Sequence, residues 1–323
     1  MQNKSKLAGT QYLAMTSVWL IAGLLIGIIG LNRYLNYYSS HALVELELLI
    51  PAVVILVIDR FEVMRGIPMK PIGIKVILWT LLLTVLLLPL VYFLNLVSQL
   101  FVPNHVLAEL FQYAQAGQNV YDYPIWLNLL YMAVLPGVVE EFLFRGVLAQ
   151  GFRSCGLLKT AVLTALMFGL VHGNLNQFLY VFAVGIFFIY LDAAAGSIYA
   201  SMLSHTLLNS VMIFMVYAQR LLPENLSSAL IQIQSDTSSV RQFGPLFWII
   251  FGMIAGAAIV LCIVVIRQVA KAAGREVQYA ETRKGAGRLK GKEGRTFSVE
   301  LLIGLIIPVV YIAIMMIRQL VSG

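Results

Sequence analysis

A chain of 323 residues in which 60% are hydrophobic and only 11% charged is too apolar for a soluble globular domain, where charged residues make up about a quarter. The formal charge of +7 comes from Lys and Arg gathered in alternate loops between apolar runs, a pattern that sets membrane orientation. Composition therefore excludes a soluble enzyme and a nucleic-acid partner, and places the chain in the lipid bilayer as an all-α, polytopic transmembrane helical bundle.

A crossing needs roughly 17 to 25 predominantly apolar residues, and nine stretches are candidates, the fifth of them short. They are residues 12–31, 42–58, 76–97, 125–148, 161–174, 177–191, 197–218, 245–266 and 299–320. No long soluble segment separates them, so the chain reads as one membrane domain in three parts. Residues 1–124 supply N-terminal helices and an outer loop, 125–218 a central group of helices, and 219–323 C-terminal helices with a basic loop.

With the N-terminus in the cytosol, inner segments collect seventeen basic residues, nine of them from Arg267 to Arg295, and outer segments only Arg33, Arg220, Arg241 and Arg318. The bias predicts a multi-pass protein of the cell membrane with a cytosolic N-terminus. Lys4 and Lys6 precede an apolar run without a small-residue cleavage pattern, which reads as an anchor and not a cleaved signal. Arg145 is left as the only basic residue in the body of a span.

Several features have structural expectations. Glu45 and Glu47 fall near the outer start of the second span, where they are expected to reach the interface as topology or packing residues. Gly23 with Gly27, and Gly252 with Gly256, fit the small-xxx-small pattern of close helix contacts. Cys155 and Cys262 are expected to be free thiols. The loop over 98–124 is expected to lie along the outer interface, and the run GRLKGKEGR over 287–295 to be a solvated inner loop able to attract anionic headgroups.

Chemistry concentrates in three apolar segments. In PGVVEEFLFRGVL, over 136–148, Glu140 and Glu141 are adjacent and Arg145 follows Glu141 by four residues. On an α-helix that spacing stacks Glu141 and Arg145 as an ion pair and turns Glu140 about 100° away, free to face a cavity as a general base. FGLVH, over 168–172, carries His172; HTLLN, over 205–209, places His205 and Asn209 on one face, where both can donate to an oxyanion. Counted at 1.5 Å per residue, Glu140, His172 and His205 come to similar depths and are expected to converge on one pocket open to the cytosol.

EEFLFRG resembles the EExxxR motif, FGLVH the FxxxH motif, and GSIYASMLSHTLLN, over 196–209, the GS-plus-HxxxN motif of the CPBP intramembrane proteases. This family comprises the CAAX proteases and bacteriocin-processing enzymes, also called the Abi or type II CAAX prenyl endopeptidase family. The resemblance spans roughly residues 125–218. It implies an eight-helix membrane endopeptidase core, so that nine spans would put at least one helix outside it. It further implies that Glu140 and His172 activate a water, that His205 and Asn209 hold the oxyanion, and that Glu141, Arg145 and Phe168 support them. The substrate would be a membrane-associated protein or peptide.

Zinc is the alternative cofactor, with Glu140, His172 and His205 as ligands. The absence of HExxH, and an Asn209 suited to an oxyanion but poor as a zinc ligand, favour glutamate chemistry without metal. No GxSxG supports a serine hydrolase. Ser201 and Ser204 read as helix-interface hydroxyls. The competing function is non-proteolytic: a transporter, or an immunity or scaffold protein with a degenerate site.

Overall fold

Helices form wherever the apolar runs predict them, because in lipid a backbone satisfies its own hydrogen bonds only in a helix or a closed barrel. The computed structural model describes residues 4–60, 62–102, 123–219, 221–223, 226, 240–284 and 297–322. The expected interfacial loop, from 103 to 122, and the basic run over 287–295 lie outside the described residues. Among those described there is no strand.

The helices are α1 (Lys4–Ile29), α2 (Tyr37–Ile58), α3 (Ile74–Gln99), α4 (Ile125–Cys155), α5 (Leu157–Val171), α6 (Leu175–Ala195), α7 (Tyr199–Gln219), α8 (Pro245–Ala272), α9 (Glu276–Lys284) and α10 (Val299–Ser322). Seven of them, α1 to α4, α6, α8 and α10, are long and apolar enough to cross a membrane. The other two expected spans are α5 and α7. With 15 residues, α5 measures about 22 Å, less than the hydrocarbon thickness of about 30 Å. The sequence reading did not resolve α9, which follows α8 after a Schellman turn. There Gly274 takes φ +65°, and its N–H and that of Arg275 donate to the carbonyls of Lys271 and Ala270.

The contacts sort the helix ends into two faces. On one, Lys6 pairs with Glu300, Arg153 donates to the Gly66 carbonyl and Ser197 to that of Lys70. On the other, Tyr38 meets Asn128, and Arg241 donates to the Leu100 carbonyl. This is the alternation that the charge pattern requires of a multi-pass chain.

Two apolar cores fill the bundle. One joins α3, α6 and α8 through residues such as Leu83, Phe188 and Cys262; the other joins α1, α2, α4, α5 and α10 through Tyr12, Leu48, Phe144 and Met167. Helix α6 contributes to both, and α4 runs through the second. At their seam stand Phe188 from the first and Phe168 from the second. Both cysteines are free thiols.

Close approaches occur where glycines remove a side chain, though not at all the predicted ones. Gly23, Gly27 and Gly256 have nothing within 4 Å of where a Cβ would stand, and Gly252 meets only Phe93 at 3.6 Å. Close contacts occur instead at glycines such as Gly9 and Gly304, which bring α1 against α10, Gly151, which brings α4 against α1, and Gly137, which brings α4 against α7.

Candidate active site

Helix α4 is not uniformly α-helical. It widens to π geometry at Leu130–Val134 and again at Phe142–Leu148, with an α-helical turn, Leu135–Glu141, between them. Pro136 has no N–H for a bond to Met132, and its ring clashes with that carbonyl, which the widened turn before it relieves. Such π segments collect at functional sites. Here the second begins directly after Glu141. The 100° spacing expected of a regular helix therefore holds between Glu140 and Glu141, but the rotation from Glu141 to Arg145 follows the wider turn.

The glutamates and Arg145 are sealed from solvent: Glu140 is 9% exposed, Glu141 0% and Arg145 2%. Glu141 Oε1 lies 2.9 Å from Arg145 Nη1 and accepts a hydrogen bond from His205 Nδ1, also at 2.9 Å. His205 Nε2 faces Glu140 Oε2 at 3.6 Å. One imidazole thus sits between two carboxylates. Because Nδ1 must carry its hydrogen to donate to Glu141, a neutral His205 would turn the Nε2 lone pair toward the Glu140 oxygen. A proton is therefore required on Nε2 or on Glu140.

Phe168 is the hinge of the arrangement. Its ring lies 4.1 Å from the Arg145 guanidinium, and the Phe188 ring 5.3 Å from it. A desolvated cation on an aromatic face gains about 2 kcal/mol or more, which offsets part of the cost of burying Arg145. The same Phe168 ring packs edge-on against His172 at 5.0 Å and against His205 at 5.9 Å. It therefore brings the histidines of α5 and α7 to one aromatic plate.

His172 caps the C-terminus of α5, and its Nδ1 donates to the Phe168 carbonyl at 2.8 Å. That bond leaves Nε2 of the neutral ring as an acceptor. The turn behind it is stiff. Gly173 takes φ +69° under the Trp19 and Tyr311 rings, and Asn174 caps α6 while donating to the His172 carbonyl.

Two further details explain why α7 delivers His205 here. Gly196 ends α6 at φ +71° beneath Arg275, and a Cβ would come within 2.6 Å of Arg275 Nε. Asp192 then accepts from the backbone N–H and hydroxyl of Ser201 in the first turn of α7. Ser204 and Thr84 share a hydrogen bond of 2.8 Å across the α7–α3 interface. Both serines are interface hydroxyls, as expected from the sequence. Beside His205, a Cβ at Gly137 would come within 2.4 Å of Thr206 Oγ1, so only glycine lets the two helices meet this closely.

Glu140 and Glu141 thus flank His205, Arg145 pairs with Glu141, Phe168 lies against Arg145 and His205, and His172 joins them through Phe168. Asn209 lies half-buried one turn beyond His205 on α7. Three participants were missed from sequence. Phe188 backs both Arg145 and His205. Tyr180 interacts electrostatically with Glu140. Glu45, expected at the interface, is instead 8% exposed and lies within electrostatic reach of Glu140; Glu47 is buried too. Phe188 and Tyr180 sit in an evenly apolar helix with no local pattern to mark them. The signal for Glu45 was its charge within an apolar run.

The described residues contain no group of three or more His, Cys, Asp and Glu arranged to hold a metal ion. His172 turns Nδ1 to a carbonyl and His205 turns Nδ1 to Glu141, which leaves the Nε2 atom of each ring for a proton or a ligand. What the arrangement offers is a carboxylate and an imidazole at one buried point, the equipment for moving a proton and stabilising an anion.

Residues 122–211 match the family described as type II CAAX prenyl endopeptidase Rce1-like. The matched segment begins just before α4 and ends within α7, and it contains all three motifs. No curated protein and no solved structure matches the chain. Over this segment the chain is similar to that family.

Proposed function

We propose that this multi-pass membrane protein, whose residues 122–211 carry the type II CAAX prenyl endopeptidase family pattern, hydrolyses a peptide bond of a membrane-associated protein or peptide at the Glu140–His205 centre. The observation that carries the reading is the single imidazole of His205 held between Glu140 at 3.6 Å and Glu141 at 2.9 Å.

Glu140 accepts a proton from water as the water oxygen attacks the scissile carbonyl, and His172 Nε2 orients that water. The carbonyl electron pair moves onto oxygen, where His205 Nε2–H and Asn209 stabilise it. When the C–N bond breaks, Glu140 returns its proton to the leaving nitrogen. Glu141 fixes the His205 tautomer and supports the imidazolium, as a buried carboxylate does for a catalytic histidine. Arg145 in turn balances Glu141. No metal takes part in these steps. The N-terminus faces the cytosol in the cell membrane, and substrate reaches the centre from that side or laterally from the bilayer.

Membrane peptidomes of cells carrying the wild type and Glu140→Gln, at matched levels of inserted protein, test the proposal. Peptide termini present with the wild type and absent with the variant are expected. Identical peptidomes would overturn proteolysis in favour of a transporter or a scaffold.

A further inference from the structure

A pocket at the end of the bundle where α1 begins lies outside the reaction just described. It sits between the first turns of α1, the 62–66 segment and the last turns of α4, and gives water-sized groups about 30 Å³, room for about two oxygen atoms. Among the residues that line it, Gln11 is 1% exposed and Gln150 half-buried, whereas Lys4 and Glu62 are exposed and stand at the mouth.

The helices around this pocket are closely packed. A Cβ at Gly151 would come within 2.8 Å of the Lys4 carbonyl oxygen, so α4 is pressed onto α1. A Cβ at Gly66 would come within 3.0 Å of Gln150 Oε1. The oxygen of the Gln150 amide is therefore the side turned to Gly66, and its nitrogen the side left over.

What the pocket lacks is an acceptor. Gln11 Nε2 and Gln150 Nε2 are both buried without a hydrogen-bond partner among the described residues. A buried donor left unpaired is costly, and two lining one small pocket call for a common partner. The charges at the mouth ask for the same thing. Lys6 pairs with Glu300 at 3.4 Å and Arg65 takes Glu62 at 2.9 Å, whereas Lys4 has no ion pair among the described residues. Two amide donors within and one unbalanced ammonium at the rim suit an anion that presents two oxygens.

The level of the pocket in the membrane says which anion. Helix α1 has 26 residues and is about 39 Å long, more than the hydrocarbon thickness of about 30 Å, so its first turns stand among lipid headgroups. Phosphate is the common anion at that level, and basic pockets between helices hold it there. A phosphodiester presents two unesterified oxygens, which matches both the donors and the space.

We infer that this pocket binds a phosphate group at the membrane surface, supplied by an anionic phospholipid headgroup or by free phosphate. Gln11 Nε2 and Gln150 Nε2 donate to two of its oxygens, and Lys4 Nζ balances its charge. The site stands whether or not the protein hydrolyses peptides, because binding is read without turnover.

The test titrates the full chain, held in a maltoside detergent that contains no phosphate, with phosphatidylglycerol and separately with inorganic phosphate, and counts the retained ligand by native mass spectrometry. One saturable phosphate-bearing ligand is expected on the wild type. Its affinity is expected to be at least about tenfold weaker in Gln150→Leu and in Lys4→Ala, as the loss of a hydrogen bond or ion pair to a charged group predicts. Phosphatidylglycerol that inorganic phosphate does not displace assigns the site to lipid; inorganic phosphate that saturates it and displaces the lipid assigns it to free phosphate. Equal affinity in the wild type and both variants, or no saturable ligand from either source, would overturn the inference and leave the pocket to water. Gln11→Leu gives a second readout, because an apolar side chain of similar size removes the buried donor. The rise in unfolding midpoint that the ligand gives the wild type is expected to be lost in this variant; an equal rise would overturn the inference.

Discussion

Helix α4 carries two buried polar knots, and they are built on opposite principles. Around Asn128, which is fully buried, Tyr38 donates to Oδ1 at 2.5 Å, Nδ2 donates to the Tyr217 hydroxyl at 2.6 Å, and that hydroxyl donates to the Tyr123 carbonyl at 3.0 Å. Every group is neutral and the amide is satisfied. Around Glu141 the groups are charged, and Glu141 Oε2 and the Arg145 nitrogens have no hydrogen-bond partner among the described residues; ion pairing and aromatic faces hold them instead. A satisfied neutral network rigidifies a bundle, whereas under-satisfied buried charge costs stability. A chain that keeps both on one helix uses the first to lock α2, α4 and α7 together and the second for chemistry.

The comparison breaks most visibly at Arg145. Arg145→Met leaves the Glu141 carboxylate buried without its cation, and unfolding in detergent is expected to show a loss of about 3–5 kcal/mol. A loss under about 1 kcal/mol would mean that Glu141 is not ionised in the folded protein. His205→Gln removes the group between the two carboxylates and should leave the ion pair intact. Turnover is expected to fall about 10²–10³-fold, the usual cost of losing an oxyanion donor, with the unfolding midpoint little changed. Retained turnover would place the anion elsewhere.

The neutral knot should answer in the opposite way. Asn128→Ala removes the acceptor of the Tyr38 hydroxyl and a donor to that of Tyr217, and a stability loss of about 1–3 kcal/mol is expected, with turnover per folded molecule within about twofold. A large loss of turnover without a loss of stability would reverse the roles of the two knots. Smallest of all, Gly23→Ala fills open space on α1 and is expected to shift stability by no more than about 0.5 kcal/mol; a larger effect would reveal a partner on that face.

Much of this was legible in the sequence, and the limits have physical causes. Hydropathy located the helices, because lipid enforces helix formation, but it could not see α9, whose charged sequence is held by the Gly274 turn and by Tyr279 in the core of α8. Glu141, Arg145 and His205 were found because charge in an apolar run is rare. The partner of His205 was not: spacing on α7 pairs it with Asn209, and only the Gly137–Thr206 approach of α4 to α7 sets it against Glu141. Glycine spacing misled at Gly23 and Gly27, since the pattern marks a face able to receive a helix and α10 docks on α1 at Gly9 instead. Glu45 was placed at the interface from its position near a span end. Its burial follows from α2 lying along α4, a tertiary fact that local sequence does not encode.

Hydrolysis run in ¹⁸O-labelled water by the purified protein in proteoliposomes, with a chelator present throughout, tests the central claim most directly. Mass spectrometry is expected to find one ¹⁸O in the new C-terminal carboxylate of each peptide released by the wild type, and none released by Glu140→Gln. Unlabelled product, equal release by the variant, or turnover abolished by the chelator and restored by zinc would contradict water activated by Glu140.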